Sequence, residues 1–139
     1  MTVKSLTLQL STRGDTDIHD ITHQVAGLVA QSGIKDGCAT IFCPSSTSGV
    51  TTIEYESGAL SDLKRLFEEI VPSHREYAHN ARWGDGNGHS HVRASLLGAS
   101  LTVPFVDRRL TLGTWQQIIY VDFDNRPRKR ELVVQVIGE

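Results

Sequence analysis

The sequence predicts an α+β domain, and three observations carry that reading. Strand-like and helix-like stretches follow one another as strand, helix, two strands, helix, loop, short helix and three strands, without a regular βαβ repeat. Two stretches carry apolar residues at helical spacing, enough for two main helices. The C-terminal strands are apolar on both faces, so their sheet needs cover on both sides. At 139 residues the chain is expected to be one domain, 1–139.

Leu6, Leu8 and Leu10 alternate with Thr7 and Gln9, a half-buried strand. After Arg13-Gly14, a helix is expected with Ile18, Ile21, Val25, Leu28 and Val29 on one face. Asp17 or Asp20 caps its start, and Gly33 ends it. His19 and His23, four apart, fall opposite the apolar stripe and read as exposed polar side chains. Cys38–Phe42 is a strand, and Val50–Glu56, rich in β-branched residues, is its partner across a hydroxyl-rich turn, Pro44–Gly49. That turn could offer hydroxyls and amides to an anion, or be an ordinary polar turn; it lacks the Gly-Lys-Ser/Thr ending of a P-loop. Leu60, Leu63, Leu66, Phe67, Ile70 and Val71 mark the second helix, stopped by Pro72. Val92–Gly98 is a short helix closed by glycine. Leu101–Val106 and Gly113–Phe123 are strands. The second sets Trp115, Ile119, Val121 and Phe123 against Ile118 and Tyr120. In the last, Glu131–Ile137, Leu132, Val134 and Val136 oppose Val133 and Ile137. Two helices cover one sheet face; the other requires a second sheet or another subunit. Arg126, Arg128, Lys129 and Arg130 are either charges protecting a strand edge or an anchor for phosphate.

Composition narrows the function classes. Apolar residues make up 39% and charged residues 22%, with a net charge of −2, an ordinary globular balance. A strongly basic face for nucleic acid is not expected. No run of eighteen apolar residues exists, and the N-terminal stretch lacks a signal peptide's apolar core, so the expectation is a cytoplasmic protein without a membrane span. Cys38 and Cys43 are expected as reduced thiols, on opposite strand faces because their separation is odd.

The chemistry concentrates in Tyr77–Arg93, which holds His79, Asp85, His89, His91 and Arg93 around Gly84, Gly86 and Gly88. Three imidazoles with an open fourth position are a common catalytic zinc arrangement. His79, His89 and His91 supply that number, provided that His89-x-His91 lies in extended chain before the helix. Inside a helix the two would diverge by about 200°. Asp85 is then a ligand, an orienting partner or a general base.

The motifs Tyr77-x-His79-Asn80, Asp85–Gly98, Leu112-Gly113-Thr114-Trp115-Gln116 and Asn125-Arg126-Pro127-Arg128 resemble the YjbQ-like family, also described as secondary thiamine-phosphate synthase, over nearly the whole chain. The resemblance implies a small α+β sandwich of about seven strands and two main helices, assembled as a homotrimer. It also implies a histidine-lined pocket, often metal-occupied, and the joining of a pyrimidine pyrophosphate to a thiazole phosphate. By position, His79, His89, His91 and Asp85 match the central motif, Thr47 and Glu54 the hairpin, and Gln116 the Trp-Gln strand. Asp85 and His91 are expected to be catalytic, Thr47, Glu54, Arg93 and Gln116 to bind a phosphorylated substrate, and the three histidines to hold a divalent transition metal, zinc. Many family members read His-Thr-Thr where this chain has Ser45-Ser46-Thr47, so an imidazole is missing at Ser45. A non-catalytic trimeric binding protein and a metal-assisted hydrolase are the competing readings.

Overall fold

A computed structural model describes residues 1–139. In chain order the elements are β1 (Thr2–Thr12), β2 (Asp17–Asp20), α1 (Thr22–Ser32), β3 (Gly37–Phe42), β4 (Ser48–Ile53), α2 (Ser57–Ile70), α3 (Ala78–Trp83), α4 (Gly88–Leu97), β5 (Ser100–Val106), β6 (Arg109–Leu110), β7 (Gln117–Asp122) and β8 (Arg128–Gly138). They form the expected α+β domain, with eight strands in two sheets. One sheet runs β1-β8-β3-β5-β6 and the other β2-β7-β4. No helix is long and apolar enough to cross a membrane.

The sheets face one another. Leu8, Ile41, Val103, Phe105, Leu132, Val134 and Val136 of the large sheet pack against Val50, Ile118 and Tyr120 of the small one and Ile21, Val25 and Val29 beside α1's start and within it. The far face of the small sheet carries Ile18, Ile119 and Val121, which with Phe123 just beyond β7 pack on Phe67 of α2 and Ala94 of α4. Phe67 and Phe123 meet edge to face with centroids 4.8 Å apart. Both apolar faces of β7 are therefore covered within one chain. The outer face of the large sheet is not, leaving Ile137, Phe42 and Val106 exposed.

Five local expectations need correction. Strands β3 and β4 are not partners across the Pro44–Gly49 turn: β3 lies between β8 and β5 in the large sheet, and β4 pairs with β7 in the small one. The first helix begins at Thr22, because Ile18 belongs to strand β2 and points into the second core while Ile21 starts the run into the first. Strand and helix happened to place their apolar residues in one continuous helical pattern. His19 and His23 thus share no helix face; His19 Nε2 meets Asp17 at 2.8 Å. Strand β7 begins at Gln117, since Gly113–Gln116 closes a turn through Gln116 N–H to the Gly113 carbonyl at 3.1 Å, leaving Trp115 73% exposed and off the core face. Finally, β8 is no edge strand: β1 pairs with one side and β3 with the other. Arg128 and Arg130 are instead turned to Asp124 and Asp122, and neither guards an edge.

Candidate functional site

Helix α4 decides where the histidines go. Its first residue is Gly88, so His89 and His91 both lie in its first turn. The Asn80 carboxamide accepts the Gly88 N–H at 2.8 Å, satisfying a donor that an N-terminus would leave free. Ser90 Oγ donates to the Phe123 carbonyl at 2.5 Å, and the Asn125 N–H donates to Asn87 Oδ1 at 3.1 Å. These contacts pin the helix start to the segment after β7. The extended His89-x-His91 unit expected from the sequence does not form, and the two rings diverge as a helix demands.

His91 faces a polar cleft of about 360 Å³ lined by Ser45, Ser46, Ser48 and Ser95. His79, from α3, lies beside it with ring centroids 4.4 Å apart and planes inclined by 39°. Asp85 Oδ1 stands 3.4 Å from His79 Nδ1. His89 turns to the other side of α4, against Tyr77 (6.3 Å between centroids) and in a cleft with Arg93. Burial, reinforced by the Arg93 charge, holds its imidazole below the ordinary histidine range. The zinc set of His79, His89 and His91 is therefore not assembled, and no group of three or more His, Cys, Asp or Glu side chains is placed to hold a metal.

The other expected residues also separate. Thr47 is buried and its hydroxyl is already engaged, donating to Asp124 Oδ2 at 3.0 Å and accepting from Arg130 Nη2 at 2.8 Å. It shapes the hydroxyl loop from behind. Glu54 and Gln116 sit beyond the opposite end of β4, roughly 20 Å away at strand rise. There Gln116 donates to Thr52 Oγ1 at 3.2 Å, while Glu54 joins His23 and Trp115 around a separate open cleft. Arg93 is buried, spending Nε on the Val71 carbonyl (2.9 Å), Nη1 on Thr16 Oγ1 (3.1 Å) and Nη2 on Glu68 Oε2 (2.7 Å). Hydrogen bonds from the Ser73 N–H and from Arg93 bring the Glu68 carboxyl down to about 2. Cys43 is buried and its thiol is pushed up to about 12 by that burial, so it is no nucleophile; Cys38 is exposed, and both are free.

Sequence reasoning missed the ionic network behind the serine loop. Arg130 forks onto Asp122 at 2.8 and 2.9 Å, Thr12 Oγ1 donates to the same carboxylate, and Arg128 meets Asp124 at 3.0 Å. Burial pushes the Asp124 carboxyl up, but hydrogen bonds from Arg128 and Thr47 outweigh it and leave the group below the ordinary range. The signal was present: Asp122-x-Asp124 and Arg128-x-Arg130 are same-face pairs on strand ends, opposite in charge.

The comparisons with known proteins agree with this architecture. A family model described as "UPF0047 protein YjbQ-like" matches residues 6–139. A UPF0047 protein of Methanothermobacter thermautotrophicus is 41% identical over 139 residues, covering 100% of this chain and 95% of the relative. The Bacillus subtilis UPF0047 protein YugU is 36% identical over 95% of this chain and 98% of its own. The crystal structure of a YbjQ-like protein of unknown function from Sulfolobus solfataricus P2 superposes with a TM-score of 0.94 at 34% identity, covering 99% of each chain. A hypothetical protein from Aeropyrum pernix K1 gives 0.90 at 27% identity, covering 98% of this chain and 99% of that one. The chain belongs to the YjbQ-like UPF0047 family.

Proposed function

We propose that the cleft between α4 and the Pro44–Ser48 loop binds a phosphorylated small molecule and transfers a group from it. The reaction is the one that the family resemblance implies, the joining of a pyrimidine pyrophosphate to a thiazole phosphate. The observation that carries this reading is the His79–His91 imidazole pair, backed by Asp85, opposite a loop of serine hydroxyls. In that reaction the bond from the pyrimidine methylene carbon to pyrophosphate breaks, and the thiazole nitrogen takes the carbon. Serine hydroxyls at 45, 46 and 48 supply donors to the departing oxyanion, and His91 is placed to hand it a proton. His79 and Asp85 steady the His91 ring. Zinc has no part in this proposal, because the three imidazoles expected to hold it do not converge.

Purified protein incubated with both substrates should form thiamine phosphate and release pyrophosphate. His91→Ala should cut the rate by about 10²-fold or more, the range for a positioned acid. Product formation at equal rates in both proteins would place the chemistry elsewhere. Turnover of generic phosphoesters instead would favour a hydrolase, and saturable substrate binding without turnover a binding protein.

A further inference from the structure

On the side of α4 away from His91 lies a second cleft of about 280 Å³ without an apolar lining residue, bounded by Asp15, Thr16, Lys64, Glu68, His89 and Arg93. Its cations are Lys64 and Arg93, and its carboxylates are Asp15 and Glu68. Three of the five guanidinium N–H bonds of Arg93 are used within the chain, which leaves two. The Thr16 hydroxyl accepts from Arg93 and keeps its own proton to give. Lys64 sets an exposed ammonium at the rim. His89 is only 6% exposed, yet its Nδ1 has no hydrogen-bond partner. Glu68 stays ionised, its charge balanced by Arg93 and its oxygens accepting from Ser73 and Arg93, so Asp15 is the carboxylate without a side-chain partner here.

The backbone on one wall is strained. Gly14, Asp15 and Thr16 follow one another at φ of 82°, 54° and 62°. A β-branched residue in the left-handed region is a costly conformation that the surroundings must enforce. Here the Asp15 N–H donates to the Asp124 carbonyl at 2.7 Å and Thr16 is held by Arg93. The result sets Asp15 and the buried Thr16 in the wall of the cleft rather than in an ordinary turn.

We propose that this cleft is a second ligand site, which binds the phosphoryl group of a small phosphate. Lys64 and the two remaining Arg93 N–H bonds meet its oxygens, with Thr16 as a further donor and His89 on the wall beside them. Asp15 would repel a fully ionised group, but it accepts the proton of a hydrogen phosphate. Sulfate carries no such proton at neutral pH, so the carboxylate selects phosphate over sulfate.

Calorimetry of the full-length protein against inorganic phosphate, glycerol phosphate and sulfate tests the assignment, together with imidazole NMR signals followed during the titrations. Phosphate should bind saturably at one site per chain and move the His89 signal. Lys64→Ala, an exposed helix position that leaves the fold intact, should weaken binding by at least about tenfold, as expected for a lost charge-assisted hydrogen bond. Asp15→Asn, which suits the left-handed backbone, should erase the preference over sulfate. Equal binding of glycerol phosphate and phosphate identifies the phosphoryl group of a larger ligand; binding of phosphate alone identifies the free ion. The proposal is overturned if phosphate shows no saturable binding. It is equally overturned if binding survives Lys64→Ala unchanged but is lost in His91→Ala, which would move the anion to the serine-lined cleft.

Discussion

His89 and His91 differ by two positions and by the whole thickness of a helix, and that difference governs the candidate site. The sequence shows Tyr77–Arg93 as the stretch where histidines gather, but not which imidazoles meet. That depended on the helix starting at Gly88, fixed by Asn80 from eight residues upstream and by Phe123 and Asn125 from the far end of β7. No periodicity encodes contacts of that kind. Ser45 is the residue through which this can be tested, since it lines the same cleft as His91. An imidazole there would join His79 and His91 to make three nitrogen ligands, the number that zinc takes at an open site. Untagged wild-type protein, reloaded with zinc and dialysed, should therefore retain far less than one ion per chain. Ser45→His should approach one, and adding His91→Ala should remove it again. Elemental analysis showing equal zinc in wild type and Ser45→His would mean that position 45 cannot reach the imidazole pair.

At the scale of elements, the strands and the two long helices were readable because their apolar periodicity is local, whereas the starts of α1 and α4 were not. Gly88 shows why. The sequence places this helix from Val92 onward, past Gly88, and glycine costs about 1 kcal/mol in a helix relative to alanine. Its place is instead set by packing, because a Cβ there would lie 2.5 Å from Tyr77 Cβ and 3.1 Å from Asn80 Oδ1. The side chain of Tyr77 is held in turn by its hydroxyl, which donates to the Pro72 carbonyl at 2.6 Å. Gly88→Ala thus sets about 1 kcal/mol of helix propensity against an overpacking cost of about 1–3 kcal/mol. The clash should win, because the nearest atom is a Cβ that cannot swing aside. Urea denaturation is expected to show a net loss of up to about 2 kcal/mol, with activity reduced as the α3–α4 contact shifts. A variant more stable than wild type by about 1 kcal/mol, the full helix-propensity gain, would show that Tyr77 yields without cost.

For the whole molecule, apolar residues on both faces of the last strands raised two ways of covering them, a second sheet or another subunit. The structure uses the first for β7, which lies between the large sheet and the α2–α4 layer. Only the outer face of the large sheet is left. Across it, Val3, Ile137 and Cys38 line up in register, as do Ser5, Gln135 and Thr40, and Thr7, Val133 and Phe42. None of these nine side chains is charged, and β5 continues the surface with Thr102, Pro104 and Val106. Lys129 and Glu131 lie at the far end of β8. A wide sheet face without charge is what an intersubunit contact presents, since charged residues are depleted at interface cores. The homotrimer implied by the family resemblance is proposed to bury this face. Light scattering should then report three times the 15.3 kDa chain mass at micromolar concentration. Phe42→Lys places one ammonium per chain at the end of the central strand of that surface without touching the core between the sheets, because Phe42 is 45% exposed in the single chain. It should yield folded monomers, with circular dichroism unchanged and the mass reduced to one chain. A trimer that survives Phe42→Lys would be built on some other surface, and a monomeric wild type would leave the uncharged face without the partner proposed for it.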